Sequence, residues 1–172
     1  MAKRVQKRRP LRTVFILLLM AVLAAAGLYR GNTALQVSYF NPAFSDLPDG
    51  FDGCRIAVLS DLHGAEFGED NAELIAAVAA QQPDLIAVVG DLIDEDTPAP
   101  LEYAAQLAPR LQAIAPVYYV TGNHEWATGG VPKLKETLSA AGWTVLSNQC
   151  EVLERNDSAI VLAGIEDRKS VV

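Results

Sequence analysis

Residues 84–91 read DLIAVVGD. The apolar run Leu85–Val89 is too short for a helix and does not alternate with polar residues. A strand that is apolar on both faces belongs inside a parallel sheet covered by helices. The same texture recurs on either side, as RIAVLS (55–60) and VYYV (117–120). Between the first two runs, DNAELIAAVAAQQ (70–82) reads as a helix with Leu74 and Val78 on one face. Asp70 or Asn71 is the expected cap, and Glu73 completes a capping-box pattern with Asp70. Residues 99–114 place Leu101, Ala104, Ala108, Leu111 and Ile114 at helical spacing, and Pro109 is expected to kink or divide that helix. Pro132 to Ala141 reads as a helix with proline in its first turn and Gly142 at its C-terminal cap. WTVLSN (143–148), CEVLE (150–154) and AIVLAG (159–164) read as further strands. ALQVSYF (34–40) reads as a first strand, ahead of the turn-rich connection 41–53. Alternating strands and helices indicate an α/β fold around a parallel sheet.

In such sheets ligands bind beyond the carboxyl ends of the strands. After RIAVLS come Asp61 and His63; after DLIAVV come Gly90 and Asp91; after VYYVT come Gly122, Asn123, His124 and Glu125. Asp61 to Asp91 is 30 residues and Asp91 to Asn123 is 32, each about one strand–helix–strand unit. Neighbouring parallel strands at that spacing end on one edge, so these side chains are expected to converge. Singly, each motif is ordinary: aspartate and Gly-Asp are common in turns, asparagine caps helices, and a loop histidine is often only solvated. Three of them in register point to a shared site. Carboxylates, a neutral imidazole and an amide oxygen together suit divalent Mn, Fe or Zn. Glycine before Asp91 and before Asn123 allows a tight turn and a close approach.

The net charge of −7 conceals a split. Lys3, Arg4, Lys7, Arg8, Arg9 and Arg12 fill the first twelve residues, leaving eight basic against twenty-one acidic residues beyond them. That acidic remainder excludes an ordinary nucleic-acid-binding surface. The basic tail, 1–12, is followed by the uncharged run TVFILLLMAVLAAAGLY, 13–29. Basic flank first and apolar run second is the order of a signal peptide or signal anchor, with the N-terminus cytoplasmic. The run just reaches the roughly 17 residues of a minimal span, so a single-pass cell-membrane anchor is expected. Cleavage at AAAG and secretion is the alternative. Residues 30–53 then hold the first strand and a linker, and 54–172 the α/β domain that carries the strand-end motifs. Cys54 and Cys150 are too few for a disulfide scaffold; outside the cytoplasm they can pair, or each can be a separately buried thiol.

D-x-H, G-D and G-N-H-E, in this order, resemble the calcineurin-like metallophosphoesterases. LSDLH, FG, LI, PDLI and GDL.D are similar to the membrane-anchored bacterial branch of that family, and LAGIED (162–167) resembles its next segment. The resemblance covers about residues 35–167. It implies a four-layer α/β/β/α sandwich with two central sheets. It also implies hydrolysis of phosphate mono- or diesters by a metal-bridging hydroxide at a dinuclear site. Asp61 and His63 would bind the first metal, Asp91 would bridge both, and Asn123 would bind the second. His124 would meet the phosphate or leaving group as a general acid rather than ligate. Gly90, Gly122 and Glu125 would support these groups.

The family pattern also calls for one later histidine and a G-H-x-H element, whereas His63 and His124 are the two histidines here. The domain therefore reads as the N-terminal part of the sandwich, expected to bind one of its two metals well and to be weakly active or inactive as it stands. A non-catalytic, membrane-anchored remnant that binds a metal or a partner is the alternative reading. A phosphate ester, lipid- or envelope-derived, is the expected substrate. A doubly wound nucleotide-binding protein is disfavoured, since no glycine-rich loop follows the first strand.

Overall fold

The structure, a computed structural model, describes residues 9–166. The chain divides into two units, Met1–Ser38 and Tyr39–Val172. In the first, the uncharged run lies within one helix of 25 residues, α1 (Arg9–Thr33). Its apolar side chains are exposed, Phe15 at 67% and Leu18 at 61% among them. Among the described residues no helix is long and apolar enough to cross a membrane, so the span expected over 13–29 is not seen as such. Lys3, Arg4, Lys7, Arg8 and the final residues 167–172 lie outside the described residues.

The second unit is built on a parallel sheet of β1 (Ile56–Leu59), β2 (Leu85–Val89), β3 (Val117–Val120) and β4 (Thr144–Val145), in that order. The three apolar runs are thus three adjacent strands. The register pairs Leu59 with Val88 and Val88 with Tyr119, which brings their carboxyl ends level. Between the strands run α2 (Ala72–Ala80), α3 (Pro100–Gln112), the short α4 (Asn123–Ala127) and α5 (Val131–Ala140). β5 (Gln149–Arg155) and β6 (Ser158–Gly164) form a separate antiparallel hairpin.

Ile86, Val88, Val117 and Tyr119 are at most 1% exposed on one face of the sheet, together with Leu107 and Leu111 of α3 and Leu134 and Leu138 of α5. Each such side chain contributes roughly 1.5–3 kcal/mol relative to an exposed one. Trp143 closes this core: its ring lies 5.9 Å from that of Tyr119, and its indole N–H donates to Ala108 O at 3.0 Å. On the opposite face Val58 and Val89 remain 62% and 46% exposed. A strand apolar on both faces calls for cover on both, and among the described residues this face of β1 stays exposed.

Several expectations change. Residues 35–40 form no strand; Val37, Tyr39 and Phe40 are exposed and no ladder pairs them. Alternation alone cannot hold an extended segment that lacks a partner strand. Pro109 does not divide α3, which is continuous through it. The proline sits three residues from the helix end, and both it and Ala105, whose carbonyl it fails to engage, face solvent. The expected capping box before α2 is absent, because Asp70 and Asn71 both take positive φ, 52° and 60°. Asn71 instead turns inward, buried, to accept the Phe67 N–H at 3.0 Å. WTVLSN supplies only the two-residue β4, since Trp143 is committed to the core.

Candidate metal centre

The sheet delivers the predicted residues to one edge. Beyond β1 and β2 the backbone stays paired: Asp61 N–H donates to Gly90 O (3.3 Å), His63 N–H to Asp91 O (2.9 Å) and Gly64 N–H to Leu92 O (2.9 Å). Asp61, His63 and Asp91 all adopt left-handed backbone, with φ of 55°, 47° and 51°. A side chain beyond glycine is uncommon there, least so for aspartate, and each such residue costs about 1–3 kcal/mol. The turn is what swings these side chains over the sheet edge. Gly90, at φ 89°, packs against Gly122; a Cβ on Gly90 would lie 2.7 Å from Gly122 Cα. A Cβ on Gly122 would strike the Asp91 carboxylate. The two glycines therefore let the β2 and β3 loops touch backbone to backbone.

Glu125 fastens that contact. It is fully buried, and its carboxylate accepts N–H bonds from Asp91 (3.1 Å), Leu92 (2.5 Å), Ile93 (3.3 Å) and Gly122 (2.8 Å). It stands one turn into α4 and reaches back over both strand ends. Burial and then the Glu125 carboxylate push the neighbouring Tyr119 phenol well above its usual range. In return, the first turn of α4 gives the His124 N–H to Asp91 Oδ1 at 3.0 Å. On the other side of the loop Trp126 Nε1 donates to Thr121 Oγ1 at 3.1 Å. The segment after His63 is held by α3, through Tyr103 OH to Ala65 O (3.0 Å) and through Arg110 to Asp70 O. Burial lifts the Tyr103 phenol to about 12, so that hydroxyl keeps its donor proton across the physiological range.

Within this frame His63, Asp91 and His124 each offer a ligand atom, all within 4.8 Å of one another. The two imidazole rings meet edge to face at 4.6 Å and 88°. Asp61 stands outside that trio, its carboxylate 67% exposed, though Oδ1 lies 3.9 Å from His63 Nε2. Asn123 opens α4 and is half-buried beside it. His124, expected to meet substrate rather than metal, is thus as near the centre as His63. His63 Nδ1 is buried and has no hydrogen-bond partner, although Asp94 Oδ2 lies only 3.3 Å away. Two imidazoles and a carboxylate, partly exposed and not otherwise neutralised, fit a divalent ion of the Mn, Fe or Zn group.

Asp94 was not among the predicted residues, yet it lines this edge. Thr97 Oγ1 donates to Asp94 Oδ1 at 2.7 Å, and this bond first of all holds the carboxyl below its usual range. Its signal in the sequence is only the third position after Asp91 in GDLID. Cys54 and Cys150 are both free, the first half-buried and the second exposed on β5.

Comparison with known proteins agrees with this geometry. Residues 54–165 match the family described as calcineurin-like phosphoesterase. The chain is 32% identical over 164 residues to a "Transmembrane protein with metallophosphoesterase domain" of Danio rerio, covering 91% of this chain and 37% of that protein. It is 30% identical over 179 residues to the metallophosphoesterase YkuE of Bacillus subtilis, covering 96% and 61% respectively. It is 32% identical over 117 residues to "Phosphodiesterase YaeI" of Escherichia coli, covering 66% and 43%. The chain thus spans about a third to three-fifths of the length of the first curated relatives it matches. With strand-end motifs, parallel sheet and family match in agreement, the chain belongs to the calcineurin-like phosphoesterases, a family of phosphoric ester hydrolases.

Proposed function

We propose that the edge formed by Asp61, His63, Asp91, Asn123 and His124 is the metal-dependent centre of a phosphate mono- or diesterase. The convergence of His63, Asp91 and His124 within 4.8 Å carries the reading. In it, His63 and Asp91 hold one divalent ion, with Asp61 closing in from the exposed side. A second ion would be held by Asp91 together with Asn123. Bound divalent cations screen phosphoryl charge and lower the pKa of water. The chain's own residues do the rest: Glu125 fixes the turn that aims Asp91, and His124 presents an imidazole to the phosphate or to the departing oxygen, which needs a proton. The name of the Escherichia coli relative favours a diester.

The parallel sheet and the β5–β6 hairpin are the first half of a four-layer sandwich with two central sheets. The described residues offer a second ion two ligands, Asp91 and Asn123, so by themselves they hold one ion well and turn over slowly. The basic start, the exposed apolar face of α1 and the name of the Danio rerio relative support an N-terminal membrane anchor, with the catalytic unit extracytoplasmic. A lipid- or envelope-derived phosphate ester suits that location. A non-catalytic anchored module is the second reading, favoured by the absence of any further group of three His, Cys, Asp or Glu ligands among the described residues.

Hydrolysis of bis-p-nitrophenyl phosphate by the full chain with Mn²⁺ tests the reading. Expected is turnover far below ordinary enzyme rates that vanishes with EDTA and in Asp91→Asn. A rate indifferent to both contradicts it.

A further inference from the structure

Asp94 and Thr97 lie outside the predicted ligand set, and their arrangement is directional. Asp94 Oδ1 accepts from Thr97 Oγ1 at 2.7 Å and from the Asp96 N–H at 3.1 Å. The Asp94 N–H in turn donates to Thr97 Oγ1 at 2.9 Å. Thr97 is itself buried, seated over Gly64, where any Cβ would collide with its side chain. These bonds occupy Oδ1 and leave Oδ2 facing His63 Nδ1 at 3.3 Å. The opposite ring nitrogen, Nε2, faces Asp61 at 3.9 Å. His63 Nδ1 is buried and has no other polar partner.

We infer that Asp94, locked by Thr97, is a positioning residue that accepts a hydrogen bond from the Nδ1–H of His63 and so turns the Nε2 lone pair toward the Asp61 side of the centre. Which nitrogen of an imidazole carries the proton is set by the hydrogen bond the other makes, and a carboxylate behind a ligating histidine fixes both tautomer and ring angle. The 3.3 Å approach does not meet hydrogen-bond geometry here, and on this inference the bond forms as the ring settles against Asp94. Gly64 belongs to the same device, since it makes the room Thr97 needs to stand beside the histidine it helps to orient. The inference about ligation rests on the metal reading above; the tautomer does not.

Long-range ¹H–¹⁵N spectra of the metal-free, full chain in detergent micelles at alkaline pH read the tautomer directly, with His124 as the internal reference for a folded edge. Wild type and Thr97→Ser are expected to carry the proton on His63 Nδ1, whereas Asp94→Ala and Thr97→Val shift it toward Nε2. Mn²⁺ affinity by calorimetry is expected to fall by about 10–100-fold in Asp94→Ala and to be retained in Thr97→Ser. A wild-type His63 protonated on Nε2 overturns the inference by itself, even if a variant fails to fold. So does a tautomer unchanged in Asp94→Ala with the His124 signals intact. If the tautomer shifts as expected but no chain binds Mn²⁺, the positioning stands and the metal reading falls.

Discussion

The carboxylate of Glu125 receives the backbone N–H of Gly122 at 2.8 Å while also receiving that of Asp91, 34 residues before it in sequence, at 3.1 Å, and so joins two strand ends. A single buried side chain thus sets the distance between the loops that carry Asp91 and His124. Removing it strands four backbone donors, each worth about 1–3 kcal/mol when left unmade. Glu125→Ala is expected to lower unfolding free energy by about 3–5 kcal/mol in urea titrations. Glu125→Gln, which keeps one acceptor oxygen, should lose clearly less. Equal stability of Glu125→Ala and wild type would show that the clasp is not needed.

Gly122→Ala is expected to disturb the same contact from the other side. The added methyl meets the Asp91 carboxylate and its backbone nitrogen. Stability should fall by more than about 1 kcal/mol, and Mn²⁺ affinity should fall with it, because Asp91 must move. Gly129→Ala, at φ 70° but in open space, is the control: it should show backbone strain without loss of metal affinity.

Lys135, half-buried, pairs with the buried Glu166 beside this loop, and Lys135 lies 5.6 Å from the centre of the Trp126 ring. Burial works against the Glu166 carboxylate, but hydrogen bonds from Lys135 and Ser147 outweigh it and hold the group below its usual range. A depressed folded pKa means that its stabilisation is present above the unfolded value, about 4.3, and is lost as pH falls through the folded one. Thermal unfolding should therefore show a decline in Tm below about pH 4 that is shallower in Glu166→Gln. An identical slope in both proteins would remove this pair from the acid sensitivity.

Val58 and Val89 stand on the exposed face of β1 and β2, Val58 within its strand and Val89 at the end of β2. Val58→Thr is expected to change unfolding free energy by no more than about 0.5 kcal/mol. It should also raise the concentration at which the chain begins to self-associate in light scattering. A large loss of stability would mean that this face is covered in the folded protein.

Much of this was legible before any coordinates. LIAVV and VYYV became strands at their own boundaries because uninterrupted short apolar runs have few other uses. The convergence of His63, Asp91 and His124 followed from strand spacing alone. What stayed hidden depends on long-range partners. No local pattern says that Glu125 will bond Asp91, Leu92 and Ile93, or that Asp94 will face His63 from across a left-handed turn. The positive φ of His63 has no glycine or asparagine to announce it. ALQVSYF failed for the converse reason: its alternation was real, but a strand needs a neighbour, and none pairs with it. His124, assigned to substrate on resemblance, is itself one of the three residues whose ligand atoms lie within 4.8 Å of one another.

Isothermal titration of the full chain with Mn²⁺, beside Asp91→Asn, tests the central claim most directly. One tight site is expected in the wild-type chain, lost or weakened by at least tenfold in Asp91→Asn and removed by EDTA. No binding to the wild-type chain, or equal binding to both proteins, would contradict a metal centre at this edge.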